Sequence, residues 1–273
     1  MRKSGDSLAT AFRNVDRDSD IGKLAACLQC MDDLSSFRAY KARSFEMLRL
    51  KPGDVAVDLG CGLGFDAQKL ADAVSPGGLA IGIDNSGKLL EAAKRAHCEK
   101  AGLEFRQCDM HQLRLESGCV DAIRVDRALQ HVENPQTVIS EMARVLKPGG
   151  WLVCAEPDWF TFVIDFDEVE ITEMVSEKWR SGFRNPRIGR QLLGRIRNAG
   201  LQHAQVEGFI LLADGLERMD SVYDVLETAR ILGQENDALS KRLNNWRNEL
   251  IACDKTMGVT ASVTLFLACG QKQ

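Results

Sequence analysis

Val55-Ala-Val-Asp-Leu-Gly-Cys-Gly-Leu-Gly64 is an apolar run that ends in an acid, Asp58, and three alternating glycines, Gly60, Gly62 and Gly64. The apolar part reads as a short buried strand, and Phe65 to Val74 reads as a helix that starts straight after the turn. Glycine takes positive φ without steric cost and has no Cβ to hold a ligand away. The helix behind the turn offers unpaired N–H groups and the positive end of its dipole. Strand, glycine turn and helix in this order predict a nucleotide cradle.

Such turns also serve NAD and FAD proteins, so the flanking sequence has to decide between ligands. A second apolar strand, Leu79-Ala-Ile-Gly-Ile-Asp84, ends in an acid suited to accept both hydroxyls of a ribose. A third, Leu103-Glu-Phe-Arg-Gln-Cys108, runs into Asp109 and Met110. Asp109 suits an adenine amino group and Met110 the side of its ring, which a dinucleotide site does not call for. A fourth strand, Val120-Asp-Ala-Ile-Arg-Val125, leads into Asp126-Arg-Ala-Leu-Gln-His131. A helix then ends at Val145-Leu-Lys-Pro-Gly-Gly150, a turn feeding a fifth strand, Trp151-Leu-Val-Cys-Ala-Glu156.

Asp58 to Gly64, Gly82-Ile-Asp84, Cys108-Asp-Met110, Asp126 to His131 and Leu146-Lys-Pro-Gly-Gly150 together resemble the ordered motifs of the class I, Rossmann-like S-adenosylmethionine (SAM) methyltransferases. The likeness is nearest to the ubiquinone/menaquinone-type small-molecule group, and it covers about residues 40 to 160 well and the rest in outline. It implies an α/β fold: a seven-stranded, mostly parallel sheet with helices on both faces, a last antiparallel strand and a helical lid. It also implies SAM as donor, S-adenosylhomocysteine (SAH) as product, and no metal. The sulfonium methyl is already activated, so transfer is an in-line displacement in which the protein aligns the partners and excludes water.

The resemblance implies cofactor contacts from Tyr40, Arg43, Asp58, Gly60, Cys61, Gly62, Gly64, Asp84, Asn85, Asp109, Met110, Asp126 and Arg127. Asp58 is expected below the glycine loop, bonding the methionine amino group directly or through water, or else stapling the loop by accepting backbone N–H groups. Tyr40 and Arg43 lie one turn apart on a helix that the resemblance folds over the methionine end. There Arg43 pairs the carboxylate and Tyr40 lines the acceptor channel; a solvated Arg43 beside a packed Tyr40 fits the same spacing.

On the acceptor side stand Gln130, His131, Glu156, Asp158, Trp159 and Phe160. His131 follows the fourth strand at the sheet edge where open α/β folds bind ligands, and it is the candidate general base. Packing around the cofactor is its other reading. Trp159, Phe160, Phe162 and Phe166 read as an apolar, aromatic acceptor cavity or as core, and the arginines at 180, 184, 187, 190, 195 and 197 as an anion site or a solvated helix surface.

The 273 residues suffice for one sizeable α/β domain with a modest lid. A net charge of −4 with both signs mixed argues against nucleic acid as the main partner. No run of 18 apolar residues is present, and Met1 to Asp20 is polar rather than a secretory signal, so a cytoplasmic location without membrane insertion is expected. Nine cysteines suit a reducing compartment. Cys27 and Cys30 form a lone C-x-x-C on a predicted helix, read as packing, with redox or metal use as the alternative.

Along the chain, residues 1 to about 20 look loosely ordered, and helices are expected at Ile21 to Met31 and Leu34 to Leu48. The expected domains are an N-terminal helical cap over 1–43 and a methyltransferase domain over 44–273, with lid insertions around 157–187 and 213–255. Helices at Arg187 to Gly200, Ser221 to Leu232 and Asn236 to Asp254, and closing strands at Gln205 to Leu212 and Val259 to Ala268, complete the pattern. The function expected is methyl transfer from SAM to a small, apolar or aromatic acceptor, O- before C- or N-methylation. The rivals are the same fold acting on protein or RNA, a SAM-binding module without chemistry, and an NAD-dependent oxidoreductase. A monomer and a homodimer are equally compatible with the chain.

Overall fold

Alternation of short apolar strands with helices dictates the architecture of the computed structural model, which describes residues 7–13, 15–18 and 21–273. In chain order the elements are α1 (Leu8–Ala11), α2 (Val15–Asp18), α3 (Ile21–Asp33), α4 (Ser35–Leu48), β1 (Val55–Leu59), α5 (Phe65–Val74), β2 (Leu79–Asp84) and α6 (Gly87–Ala96). There follow β3 (Leu103–Gln107), β4 (Val120–Asp126), α7 (Pro135–Val145), β5 (Leu146–Ile164), α8 (Val169–Ser181) and α9 (Ile188–Asn198). The chain ends with β6 (Gln202–Asp214), α10 (Leu216–Tyr223), α11 (Val225–Glu235), α12 (Asp237–Thr256) and β7 (Thr260–Gln271).

The strands form one sheet in the order β3-β2-β1-β4-β5-β7-β6, six parallel and the last antiparallel, with helices on both sides. Central strands β1, β2 and β4 are buried along nearly their whole length. Both faces being covered, their sequences are continuous apolar runs rather than alternating ones. Val57, Leu59, Ile81, Ile123 and Val125 pack there with Val138, Ile139 and Met142 of α7 and Leu192 and Ile196 of α9. Local chemistry sets the helix starts: Asn134 caps α7 by accepting the Thr137 N–H, with Pro135 in the first turn, and Ser86 caps α6 by accepting the Leu89 N–H.

Three expectations need correction. The stretch read as loosely ordered holds two one-turn helices with Leu8, Ala9 and Val15 buried; residues 1–6, 14, 19 and 20 lie outside the described residues. The fifth strand does not stop at Glu156 but continues to Ile164. Its pairing with β4 ends at Asp126↔Ala155, so Pro157 lies past the last β4 residue and costs no bond on that side. The helix expected over 221–232 is broken at Asp224, a buried residue at φ 50° that ends α10 and starts α11.

The chain divides into two compact units. One comprises Ala39–Pro157, Arg187–Phe209 and Leu265–Gln273; the other comprises Met1–Arg38, Asp158–Pro186 and Ile210–Thr264. The second is built on aromatic packing: Trp159 stacks on Phe183 at 4.5 Å, and Trp179 and Tyr223 meet Trp159 edge-on. Trp246 donates its Nε1–H to Thr172 Oγ1 at 2.9 Å. Among the described residues no helix is long and apolar enough to cross a membrane.

Candidate active site

The turn after β1 takes positive φ at all three glycines, 76° at Gly60, 52° at Gly62 and 81° at Gly64. Gly60 and Cys61 donate their N–H groups to Ile83 O at 2.7 and 3.0 Å. Asp84, at the end of β2, accepts the Gly62 N–H at 2.9 Å and the Ser86 N–H at 2.9 Å, one on each carboxylate oxygen. The loop-stapling role considered for Asp58 therefore belongs to Asp84. Two of the glycines also have a different reason to be there than ligand access. A Cβ on Gly60 would stand 2.7 Å from Ala128 Cβ, and one on Gly64 would stand 2.6 Å from the Phe105 ring. Close approach of protein to protein demands them. Gly64 begins α5 without any side-chain cap, and Asp66 is the acid in the helix's first turn.

Beneath the turn lies a buried charge network. Asp58 and Arg124 are register partners on the parallel strands β1 and β4, which puts both side chains on one sheet face. Arg124 Nη1 lies 3.3 Å from Asp58 and 2.8 Å from Asp66, and Nη2 lies 2.9 Å from Asp126. Lys41 of α4 adds a 3.0 Å pair to Asp66. Tyr40 donates its hydroxyl to Asp126 at 3.0 Å, and Arg127 Nε bonds the same carboxylate at 2.9 Å. Burial pushes Asp58 up to about 7 against the pull of Arg124. Burial also works to raise Asp66 and Asp126, yet there the neighbouring cations win and both sit below the usual carboxylate range.

The loop after β4 is held from below by Glu156, which is fully buried and accepts the Leu129 N–H at 2.6 Å and the Gln130 N–H at 3.3 Å. Burial lifts its carboxyl to about 8 despite those bonds. Glu156, expected on the acceptor side, is in this structure a brace for the loop that carries Arg127 and His131. Gln130 is buried and donates Nε2–H to Arg127 O, and Arg127 itself has φ 55°. His131 is half-buried and closes the turn by donating its N–H to Ala128 O at 3.0 Å.

Other candidates are more dispersed. Met110 Cε lies 3.6 Å from where a Gly60 Cβ would be, so it does flank the turn. Asp109 is exposed and bonds the His111 N–H and ring, which holds it below the usual carboxylate range. Asn85 is exposed, its carbonyl accepting from Gln107. Arg43 pairs with Glu207 of β6 and with Glu46 at its partly exposed guanidinium, instead of standing ready for a carboxylate. In the other unit, Asp158 is fully buried and accepts the Phe160 N–H. Trp159 is core, the centre of the aromatic cluster. Phe160 is exposed, with Arg180 4.7 Å above its ring. Phe160→Ala is expected to change the unfolding free energy by about 0.5 kcal/mol or less in a urea titration.

Arg124, Lys41 and Asp66 escaped the sequence reading. An arginine in the apolar strand Val120 to Val125 was the available signal, because a charge inside a doubly covered strand needs buried partners.

A family model described as a methyltransferase domain matches residues 50–209. The chain is 44% identical over 167 residues to an uncharacterized 37.1 kDa protein in transposon TN4556 of Streptomyces fradiae, covering 60% of this chain and 48% of that protein. It is 34% identical over 131 residues to demethylmenaquinone methyltransferase of Lactococcus lactis subsp. lactis, covering 46% of this chain and 52% of that enzyme. The chain thus spans about half the length of these curated relatives. Among solved structures, phosphoethanolamine N-methyltransferase 2 of Haemonchus contortus in complex with SAM aligns over 98% of this chain and 61% of its own. Its TM-score of 0.59 at 18% identity marks a shared fold.

Proposed function

The chain belongs to the methyltransferase domain family, in its class I Rossmann-like form, and from this we propose that it transfers a methyl group from SAM to a small, apolar or aromatic acceptor. One observation carries the reading: the glycine turn, Asp58 and Asp84 converge at the C-terminal ends of the neighbouring strands β1 and β2, paired as Asp58↔Gly82 and Leu59↔Ile83. Open α/β sheets bind ligands at that edge. The residues fit a nucleoside with an amino-acid tail. Asp84 accepts the Gly62 N–H on one oxygen and the Ser86 N–H on the other, and its place at the end of β2 suits a ribose.

SAM supplies an electrophilic methyl on sulfur; the side chains supply position. Asp58 receives the ammonium, Asp84 the ribose hydroxyls, and Met110 and Asp109 the adenine end. Tyr40, Asp126 and Arg127, tied together by hydrogen bonds, border the place of transfer. Orientation of this kind contributes several kcal/mol without a protein nucleophile. Oxygen is the acceptor atom we expect ahead of carbon or nitrogen, and His131 is the candidate to take the acceptor's proton. Residues 1–43 act as cap in this reading, and the insertions around 157–187 and 213–255 as lid. The test is incubation with SAM and a library of phenols, quinols, acids and amines, following SAH release. Turnover with one class is the expected outcome; SAH binding without release for any acceptor would reduce the protein to a binding module.

A further inference from the structure

We propose that Arg124 is a positioning residue for the amino-acid end of the cofactor: it ties Asp58 and Asp126 together at the ends of neighbouring strands, where Asp58 meets the ammonium group. This rests on the reading of the glycine turn as the SAM site. Among the described residues Arg124 is one of the largest fully buried side chains, and its guanidinium touches Asp58, Asp66 and Asp126 together. Phe45 closes it off, with its ring 5.1 Å from the guanidinium carbon. Without that bridge, acids from β1, β4 and α5 would face each other in a region shut off from water.

The groups facing Asp58 are Arg124 and Asp126 on β4, Asp66 on α5, Lys41 on α4 and the Cys61 thiol of the turn. Burial is the largest influence and raises Asp58, Asp66 and Asp126 raise it further, and Arg124 is the strongest force in the other direction. With its carboxyl at about 7, Asp58 in the free protein sits near half-protonation at neutral pH. An ammonium ligand needs the anion. Its affinity therefore rises with pH as Asp58 loses its proton, and loss of Arg124 moves that rise to higher pH. Lysine cannot replace the arginine, since a single ammonium has no planar fork to span three carboxylates.

Calorimetry of SAH and of 5′-methylthioadenosine, which lacks the amino-acid end, tests this between pH 6 and 8. Wild type should bind SAH about threefold or more tightly at pH 8 than at pH 6, and Asp58→Asn should abolish that rise. Arg124→Lys should lower SAH affinity at pH 7 by about fivefold, the loss of anion that a one-unit rise from about 7 brings, while methylthioadenosine changes by less than about threefold. Equal loss for both ligands, a pH profile unchanged in Arg124→Lys, or a profile unchanged in Asp58→Asn overturns the proposal; the last needs no folded Arg124 variant. Failure of wild type to bind either ligand would sink the SAM-site reading itself, whereas wild-type binding without the Arg124 pattern sinks this inference alone.

Discussion

Asp84→Ala is expected to weaken SAM binding by about a hundredfold or more. Two charge-assisted hydrogen bonds to a ribose are each worth about 1.5–3 kcal/mol, and about 3 kcal/mol already corresponds to more than a hundredfold in affinity. The structure adds a second loss. The same carboxylate holds the Gly62 and Ser86 N–H groups, so the truncation also frees the turn that shapes the site. Two measurements separate these contributions. Calorimetry with SAH reads the sum, and a thermal melt without ligand reads the loss of the brace alone. Asp84→Asn should fall between, because one carbonyl oxygen remains while its NH2 faces a backbone donor. Unchanged affinity in Asp84→Ala would remove this residue from the cofactor site.

The sheet was legible because its signals are local and redundant. Each central strand is an apolar run with an acid or a glycine at its C-terminal end, and the starts of α6 and α7 carry turn chemistry that can be read residue by residue, at Ser86 and Asn134-Pro135. What stayed hidden depends on partners far apart in sequence. Asp84, not Asp58, staples the turn, since the choice is made by which carboxylate points at the Gly62 N–H. Arg124 appears in the sequence as an oddity in a strand; only the register Asp58↔Arg124 and the arrival of α5 and α4 give it three acids and a neighbouring lysine. Glu156 reads as a strand-end acid like the others, and the fold turns it inward under the loop it braces. The aromatic run from Trp159 left core and cavity both open, because composition is the same for each. Burial decides for core at Trp159 and Phe162, and Phe160 of the same run points outward.

The glycines supply the second large effect, and here protein packing and ligand binding come apart. Gly64→Val should destabilise the fold by roughly 4 kcal/mol: about 1–3 for a branched residue held at positive φ and about 1–3 for overpacking. For a chain of this size that is a fall in Tm of about 10 °C. The ring of Phe105 is the obstacle. It lies 2.6 Å from the Cβ position of Gly64 and 2.7 Å from that of Gly82, wedged between two missing side chains. The clash and the φ strain predict different remedies. Shortening the ring in Gly64→Ala/Phe105→Leu should recover the clash and leave the strain, so the double variant should be less destabilised than the two single costs added together. Strict additivity in urea titrations would show that Phe105 does not set the cost at Gly64. Gly62→Val belongs to the other class. Gly62, at φ 52°, shares the strain of a positive φ, but it stands at the middle of the turn with its N–H bound by Asp84, so beyond that strain its loss should appear in SAH affinity. If Gly62→Val melts as low as Gly64→Val while still binding SAH normally, the turn is a packing device and the cofactor lies elsewhere.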